Sequence, residues 1–478
     1  LMKYIDRRKF LKSVCAGAAG LTLFNNFILS PDKIFGSSPP PVPRGSKPNV
    51  LFIAVDDLND WISPLGGYPG TKTPNIERLA RRGVTFTLAY CAAPLCNPSR
   101  ASLLTGIRPS TSGVYNNRQP FRKVLPDAET LPQHFMANGY NVVGCGKIFH
   151  GRYPDPPSWH DYFYRPRDPM PKNRPLNGIR NNSPQFDWGP IDVPDEEMSD
   201  YKVTKWAVDY LKKEHDRPFF LGVGLFRPHL PWYVPRKYFD LYPLSDIVLP
   251  IVNENDLDDV PPIGRKIANP NRDHKQVLET HNWKKAVRSY LASISFADTL
   301  IGWLLDTLDN SPYAKNTIIV LWGDHGWHLG EKLSWRKYKL WEEANRTPFI
   351  IVAPGITRPG SRCRRTVSLL DIYPTLIELC GLTPKDDLEG DSLMPLLKDP
   401  DAEWNRPVLM TRARNQHAVR SERYRYIRYE DGSEELYDHW FDPLEWVNLA
   451  DKPRFRKIKE ELKKWLPKVN APNAPRER

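Results

Sequence analysis

Cysteine is scarce and poorly spaced. The 478 residues hold six cysteines, and none of the spacings is that of a zinc site or a disulfide framework. A structural zinc module and a disulfide-stapled scaffold are thereby excluded. Charge imbalance is also small where it would matter. The formal charge is +12, but residues 1–30 carry +4 and residues 452–478 carry +7, which leaves +1 for everything between. A body so close to neutrality lacks the basic footprint of a nucleic-acid-binding protein. The basic C-terminal stretch reads as a solvated helix face. No internal repeat is present. What is abundant is proline, 48 residues, about one in ten against a usual share of about 5%. Prolines stop helices and set turns, so long ordered loops are expected around a regular centre. The 15 tryptophans and 21 tyrosines suit stacking on sugar rings, although most aromatics in any fold fill its core.

The start of the chain reads as an export signal. Asp6-Arg7-Arg8-Lys9-Phe10-Leu11-Lys12 precedes an apolar run over residues 13–29, the order of a twin-arginine signal. The run is short and rich in Gly and Ala, which suits a signal better than a permanent span. The mature protein is therefore expected to be exported, periplasmic or extracellular, without a membrane span. Lys12-Ser13-Val14-Cys15 is a poor match to a lipidation box, so a lipoprotein is disfavoured. Residues 31–47 read as a linker, residues 48–400 as the main domain and residues 401–478 as a smaller C-terminal unit. Without Cys15, five cysteines remain. An odd number leaves one unpaired or serving chemistry, and Cys96 is the candidate. Cys91, Cys145 and Cys380 sit among apolar residues and read as plain buried thiols.

The main domain reads as α/β. The apolar run Val50–Val55 predicts a buried parallel strand. Further strands are expected at residues 141–144, 219–224, 317–322 and 349–352, with helical patterns between several of them, including residues 286–308. Thr73-Pro74-Asn75-Ile76-Glu77 predicts a helix start with Thr73 as N-cap. Toward the C-terminus, Tyr424–Tyr429 alternates like a half-exposed strand, Asp431-Gly432 marks a turn and residues 435–438 begin the next strand. A small antiparallel sheet and an amphipathic helix over residues 454–466 follow from this.

Asp56 and Asp57 end the first predicted strand, and ligands of open α/β sheets gather at such ends. Adjacent carboxylates repel unless a cation joins them. Gly323-Asp324-His325-Gly326 ends the strand from Thr317, so two acidic strand ends in one sheet can share a metal.

Cys96-Asn97-Pro98-Ser99-Arg100, followed five residues on by Thr105-Gly106, resembles the signature of the formylglycine-dependent (type I) sulfatases. Gly146-Lys147-Ile148-Phe149-His150, Phe226-Arg227-Pro228-His229, Asp324–Glu331 and Trp335-Arg336-Lys337 are similar to segments of iduronate-2-sulfatase-like members. Leu436-Tyr437-Asp438, Asp442-Pro443 and Asn448-Leu449 resemble the family's usual ending. The resemblance covers nearly all of the mature chain. It implies an alkaline-phosphatase-like α/β domain with a large, mostly parallel sheet flanked by helices, plus a smaller C-terminal antiparallel sheet. It also implies hydrolysis of sulfate esters of a sulfated saccharide. In that scheme Cys96 is oxidised to formylglycine by a separate maturation enzyme. One hydroxyl of its hydrate attacks sulfur and the other drives release of sulfate. Arg100 steadies the hydrate, Lys147 and Lys337 neutralise sulfate oxygens, His150 is the base and His229 the acid. Asp56, Asp57, Asp324, His325 and residue 96 hold the metal. Mostly hard oxygen donors point to Ca2+, with Mg2+ or Mn2+ as alternatives because an imidazole is unusual for calcium.

Two other activities compete. A phosphonate monoester or phosphodiester hydrolase would share the scaffold, and a non-catalytic protein would only bind sulfated glycans. His328 reads as a support behind the metal ligands or as pocket wall. The proline-rich insertion from Gly151 to Asp200 is expected to line the substrate pocket.

Overall fold

The computed structural model describes residues 47–180 and 183–477. The signal segment, and all of the linker but its last residue, lie outside the described residues. The centre is an eight-stranded sheet. Its strands are β1 (Asn49–Val55), β2 (Val84–Tyr90), β3 (Asn141–Gly146), β4 (Asp161–Tyr164), β5 (Phe219–Leu225), β6 (Thr317–Gly323), β7 (Phe349–Val352) and β8 (Ser361–Ser368). The spatial order is β8-β2-β7-β6-β1-β5-β3-β4.

Seven strands run one way and β7 alone runs against its neighbours β6 and β2. A parallel return needs a long crossover, usually helical. Residues 324–348 contain no helix longer than the four residues Glu342–Asn345, beside a 3-10 turn at Glu331–Leu333 and a short hairpin of His328–Leu329 with Trp335–Arg336, so the chain doubles back instead. The loop between β6 and β7 therefore begins and ends at the same end of the sheet, the carboxyl end of β6.

Both sheet faces are covered. Leu51, Ile53 and Val55 of β1 join one core with Ile76, Leu79, Val203, Ala207 and Leu291. These come from helices α1 (Pro74–Ala80), α4 (Ser199–Leu211) and α5 (Trp283–Asp309). Val50, Phe52 and Ala54 join the other core with Leu103, Leu104, Phe135 and Leu376. These belong to α2 (Cys96–Thr105), α3 (Leu131–Ala137) and α6 (Ile372–Cys380). Burial on two faces is why β1 reads as an unbroken apolar run. By length and hydropathy α5 could cross a membrane, but most of its apolar window is buried against this sheet.

Helix α1 starts at Pro74 with Thr73 in the N-cap position, as expected, but another group caps it. Thr73 does not cap α1 with its side chain, because its hydroxyl is taken by Ser63. Asp298 on α5 accepts the N–H groups of Asn75 and Ile76 instead, at 3.2 and 2.8 Å. A tertiary carboxylate thus does the capping.

The C-terminal sheet consists of β9 (Val408–Ala413), β10 (Gln416–Arg420), β11 (Tyr424–Arg428) and β12 (Glu434–Asp438), antiparallel in chain order. Leu462 of α7 (Arg456–Lys463) packs on one face with Val419, Tyr426 and Leu436. Met410, Ala418 and Ile427 pack the other face against Tyr90 and Trp341. Strand β11 is not half-exposed. Arg425 is fully buried, in ion pairs with Glu342 and Glu445. Alternation predicted an exposed cation, and the paired acids reverse that.

Candidate active site

Register brings the ends of five strands level. Val55 pairs with Gly323 and Leu225, and Gly146 pairs with Gly224 and Tyr164. The residues that follow these ends form one constellation. Asp56 and Asp57 leave β1, Lys147 leaves β3, Phe226 to His229 follow β5, and Asp324 and His325 leave β6. Helix α2 delivers Cys96 in its first turn and Arg100 one turn later. The β6–β7 loop brings Lys337.

Asp57 adopts a left-handed backbone conformation, φ 61°. Its N–H donates to Asp324 Oδ1 at 2.9 Å, and its carbonyl accepts from the Tyr290 hydroxyl at 2.7 Å. Both contacts are buried; the first holds the two acidic strand ends together, and the second ties Asp57 to α5. Arg100 is fully buried. It bonds Asp324 Oδ2 at 2.8 Å, Asp56 Oδ1 at 3.2 Å and the Ile148 carbonyl at 2.9 Å. Lys147 pairs with Asp56, and Lys337 with Asp57. The Cys96 sulfur lies 2.9 Å from Lys337 Nζ, 3.3 Å from His325 Nε2 and 3.8 Å from Asp57 Oδ1. His229 Nε2 is 3.9 Å from Asp57 Oδ2.

Donor atoms of Asp56, Asp57, Cys96 and His325 all lie within 4.8 Å of one another. Asp324 stands outside that group, but its Oδ1 is 3.5 Å from His325 Nε2. The set fits a hard divalent cation. It has oxygen donors at its centre, and Asp57 Oδ2 is buried without a hydrogen-bond partner. His325 Nδ1 contacts the Gly326 carbonyl at 3.0 Å, which leaves Nε2 free to face the cluster.

The electrostatics follow from burial and crowding. Burial pushes Asp57 up to about 7, helped by Asp56 and Asp324 against Lys337. Burial opposes the charge of Asp56 too, but the permanent cations Lys147 and Arg100 outweigh it and hold that carboxyl well below the usual range. Burial and the neighbouring acids, chiefly Asp56, raise the Cys96 thiol, so an unmodified cysteine here stays protonated and is a poor nucleophile. Burial and Lys147 lower His150 to about 3. Burial and Lys337 also drive His229 down. His229 Nδ1 contacts the Leu230 carbonyl at 2.5 Å, so its Nε2 carries no proton in the free site and must gain one to act as an acid.

Three supporting groups escaped the sequence reading. Ser99 Oγ donates to the Asp324 carbonyl at 2.5 Å, Tyr290 anchors Asp57 from 233 residues away, and Phe226 lies against the His229 ring at 4.5 Å between centroids. Ser99 and Phe226 stood within the Cys96–Arg100 and Phe226–His229 segments without a role of their own. Tyr290 left no local signal. His328 sits among Glu331, Lys332, Trp341 and Glu342, and its Nδ1 contacts the Glu331 carbonyl at 3.1 Å. That places it toward the C-terminal sheet. From the insertion, residues 169–177 and 188–193 line a cavity of about 590 Å³ that contains none of the constellation's residues. His160 binds the Val142 N–H at 2.9 Å. The five described cysteines are all free and buried.

The sulfatase family profile matches residues 48–382, and the profile for N-sulphoglucosamine sulphohydrolase, C-terminal, matches residues 323–472. A sulfatase of Formosa agariphila is 42% identical, covering 89% of this chain and 87% of its own. Iduronate 2-sulfatase of Homo sapiens is 32% identical over 70% of this chain and 69% of its own. Among solved structures, a 2-O GAG sulfatase superposes with a TM-score of 0.70 at 25% identity, over 88% of this chain and 91% of its own. The phosphonate monoester hydrolase of Agrobacterium radiobacter superposes at 0.73 with 22% identity, over 87% and 94%. That likeness shows a shared fold.

Proposed function

Because the chain belongs to the sulfatase family and is a sulfuric ester hydrolase, we propose that it removes O-sulfate from a sulfated saccharide, with iduronate-2-sulfate-type residues as the leading substrate. The observation that carries this reading is the placement of residue 96. It lies in the first turn of a buried helix, within contact of Lys337 and His325 and beside Asp56 and Asp57 at the end of β1. Among the relatives, a Delta 4,5-hexuronate-2-O-sulfatase of Bacteroides thetaiotaomicron, 28% identical over 87% of each chain, and human iduronate 2-sulfatase are named for 2-sulfated uronates.

Asp56, Asp57, His325 and residue 96, with Asp324 behind them, would hold the cation, calcium first by donor type. When present, the cation supplies a Lewis acid to a sulfate oxygen, and formylglycine at position 96 supplies a hydrated aldehyde as nucleophile. The remaining work falls to the chain itself. Arg100 fixes Asp56 and Asp324 from behind. Lys147 and Lys337 neutralise the sulfate oxygens as charge builds. His150, neutral because it is buried beside cations, accepts a proton. His229 Nε2 delivers a proton to the departing sugar oxygen. The sulfate anion offsets the lysine charges that keep His229 neutral, so substrate arrival itself favours its protonation.

Export through the twin-arginine-type segment and oxidation of Cys96 by a maturation enzyme complete the proposal. The test is sulfate release from a panel of defined sulfated mono- and disaccharides, run beside an aryl sulfate and an aryl phosphonate. Release from 2-sulfated uronates supports the reading. Turnover of the phosphonate alone would assign the scaffold to phosphonate hydrolysis instead.

A further inference from the structure

Four strand ends of the level row already carry site residues, and the fifth, β4, has been given no task. Gly146 pairs with Tyr164 across β3 and β4, so Arg165 stands beside Lys147 at the same height, about 4.8 Å away in backbone spacing. The side chains converge as well. The Arg165 guanidinium lies 3.9 Å from the centre of the Phe226 ring, and Lys147 Nζ lies 5.3 Å from that centre. The same ring packs on His229, the group assigned to the departing sugar oxygen.

Charge bookkeeping leaves Arg165 unspent. Asp168 Oδ2 is shared by Arg165 at 3.1 Å and the almost fully buried Arg227 at 2.9 Å. The other nearby acid, Asp200, is pushed up to about 6, by burial first and then by Asp168. Asp200 also accepts the backbone N–H groups of Phe226 and Arg227, and the two guanidinium groups share a single oxygen of Asp168. Arg165 bonds Asp168 and Ser199 through Nη1 alone. Its side chain keeps 26% exposure, against 1% for Arg227.

We propose that Arg165 forms an anion subsite that reads a second negative group, a carboxylate or a further sulfate, on the sugar that carries the scissile sulfate. The planar fork is suited to either oxyanion. The cation–π contact with Phe226 fixes its plane and links the subsite to His229. This inference rests on the sugar-sulfate reading above.

The test compares kcat/KM within two substrate pairs: a 2-sulfated uronate disaccharide against its carboxyl-reduced counterpart, and a disulfated against a monosulfated monosaccharide. Wild-type enzyme should prefer the more anionic member of one pair. Arg165→Met, whose folding is checked by thermal melting, should cut that preference by about tenfold or more, the scale of a charged hydrogen bond. Arg165→Lys, which keeps the charge and loses the fork, should fall between and provides the readout if Arg165→Met melts early. Loss in the first pair assigns a carboxylate, and loss in the second assigns a sulfate. If wild type shows no preference, or the variants keep it, the subsite is overturned while the sugar reading stands. If wild type releases sulfate from no sugar in either pair, the sugar reading falls and takes the subsite with it.

Discussion

The backbone N–H of Asp57 donates to the carboxylate of Asp324, 2.9 Å away across the tips of β1 and β6. One candidate ligand thus orients another, and the second oxygen of Asp324 is held by Arg100 at 2.8 Å. Replacing Asp324 by Asn keeps an acceptor for Asp57 but removes the charge that Arg100 and a cation both need. Calcium affinity should fall by about 100-fold, at the upper end of what supporting contacts to metal ligands are worth. Calorimetric titration of the purified variant measures this. Affinity equal to wild type would remove Asp324 from the metal site.

Metal binding should depend on pH through Asp57. Its carboxyl is raised to about 7, by burial above all, so below that value a proton occupies the group a cation requires. Affinity should be nearly level above pH 7 and weaken by about tenfold between pH 8 and pH 6. Proton release on binding should appear as a calorimetric enthalpy that changes with the ionisation heat of the buffer. A flat profile would mean that Asp57 is ionised in the free protein across this range.

His229 should matter in proportion to how badly the leaving group needs a proton. Replacement by Gln is expected to slow release from a sugar alcohol by about 100-fold or more, and release from a nitrophenyl sulfate far less. Steady-state rates on both substrates decide it. Equal losses would make His229 a structural support.

Arg425 ties the C-terminal sheet to the main domain. It is fully buried between Glu342 and Glu445, and Glu342 lies in the β6–β7 loop that also carries Lys337. Arg425→Met leaves Glu342 to Arg420 and Glu445 to His439 and should cost about 3 kcal/mol in denaturant unfolding. The double variant Arg425→Met/Glu342→Gln should lose less than the single one, because it leaves less charge unpaired. A single variant within about 0.5 kcal/mol of wild type would show the network to be dispensable.

Much of this was legible in sequence, for physical reasons. Strands β1, β3, β5, β6 and β7 are short apolar runs, since both faces of the central sheet are buried. The strand-end acids and the Cys96–Gly106 segment are contiguous, so local reading finds them. Strand β8, Ser-Arg-Cys-Arg-Arg-Thr-Val-Ser, escaped because it is an edge strand with alternating exposure and a register shift after Cys363. The reversal of β7 is set by the length and content of a loop, which apolar periodicity does not report. The Asp298 cap, the Tyr290 anchor and the burial of Arg425 are contacts between residues far apart in the chain, and single-chain patterns carry no trace of them.

The account's centre is the chemical state of residue 96, and peptide mass measures it directly. Protein produced in a host with a maturation enzyme should yield a peptide spanning Cys96 that is ~18 Da lighter than its cysteine form, the replacement of S by O with loss of H2, in contrast to the mass gain of ordinary thiol oxidation. The lighter fraction should rise in step with specific activity across preparations. Full activity in protein whose residue 96 retains the mass of unmodified cysteine would contradict the account.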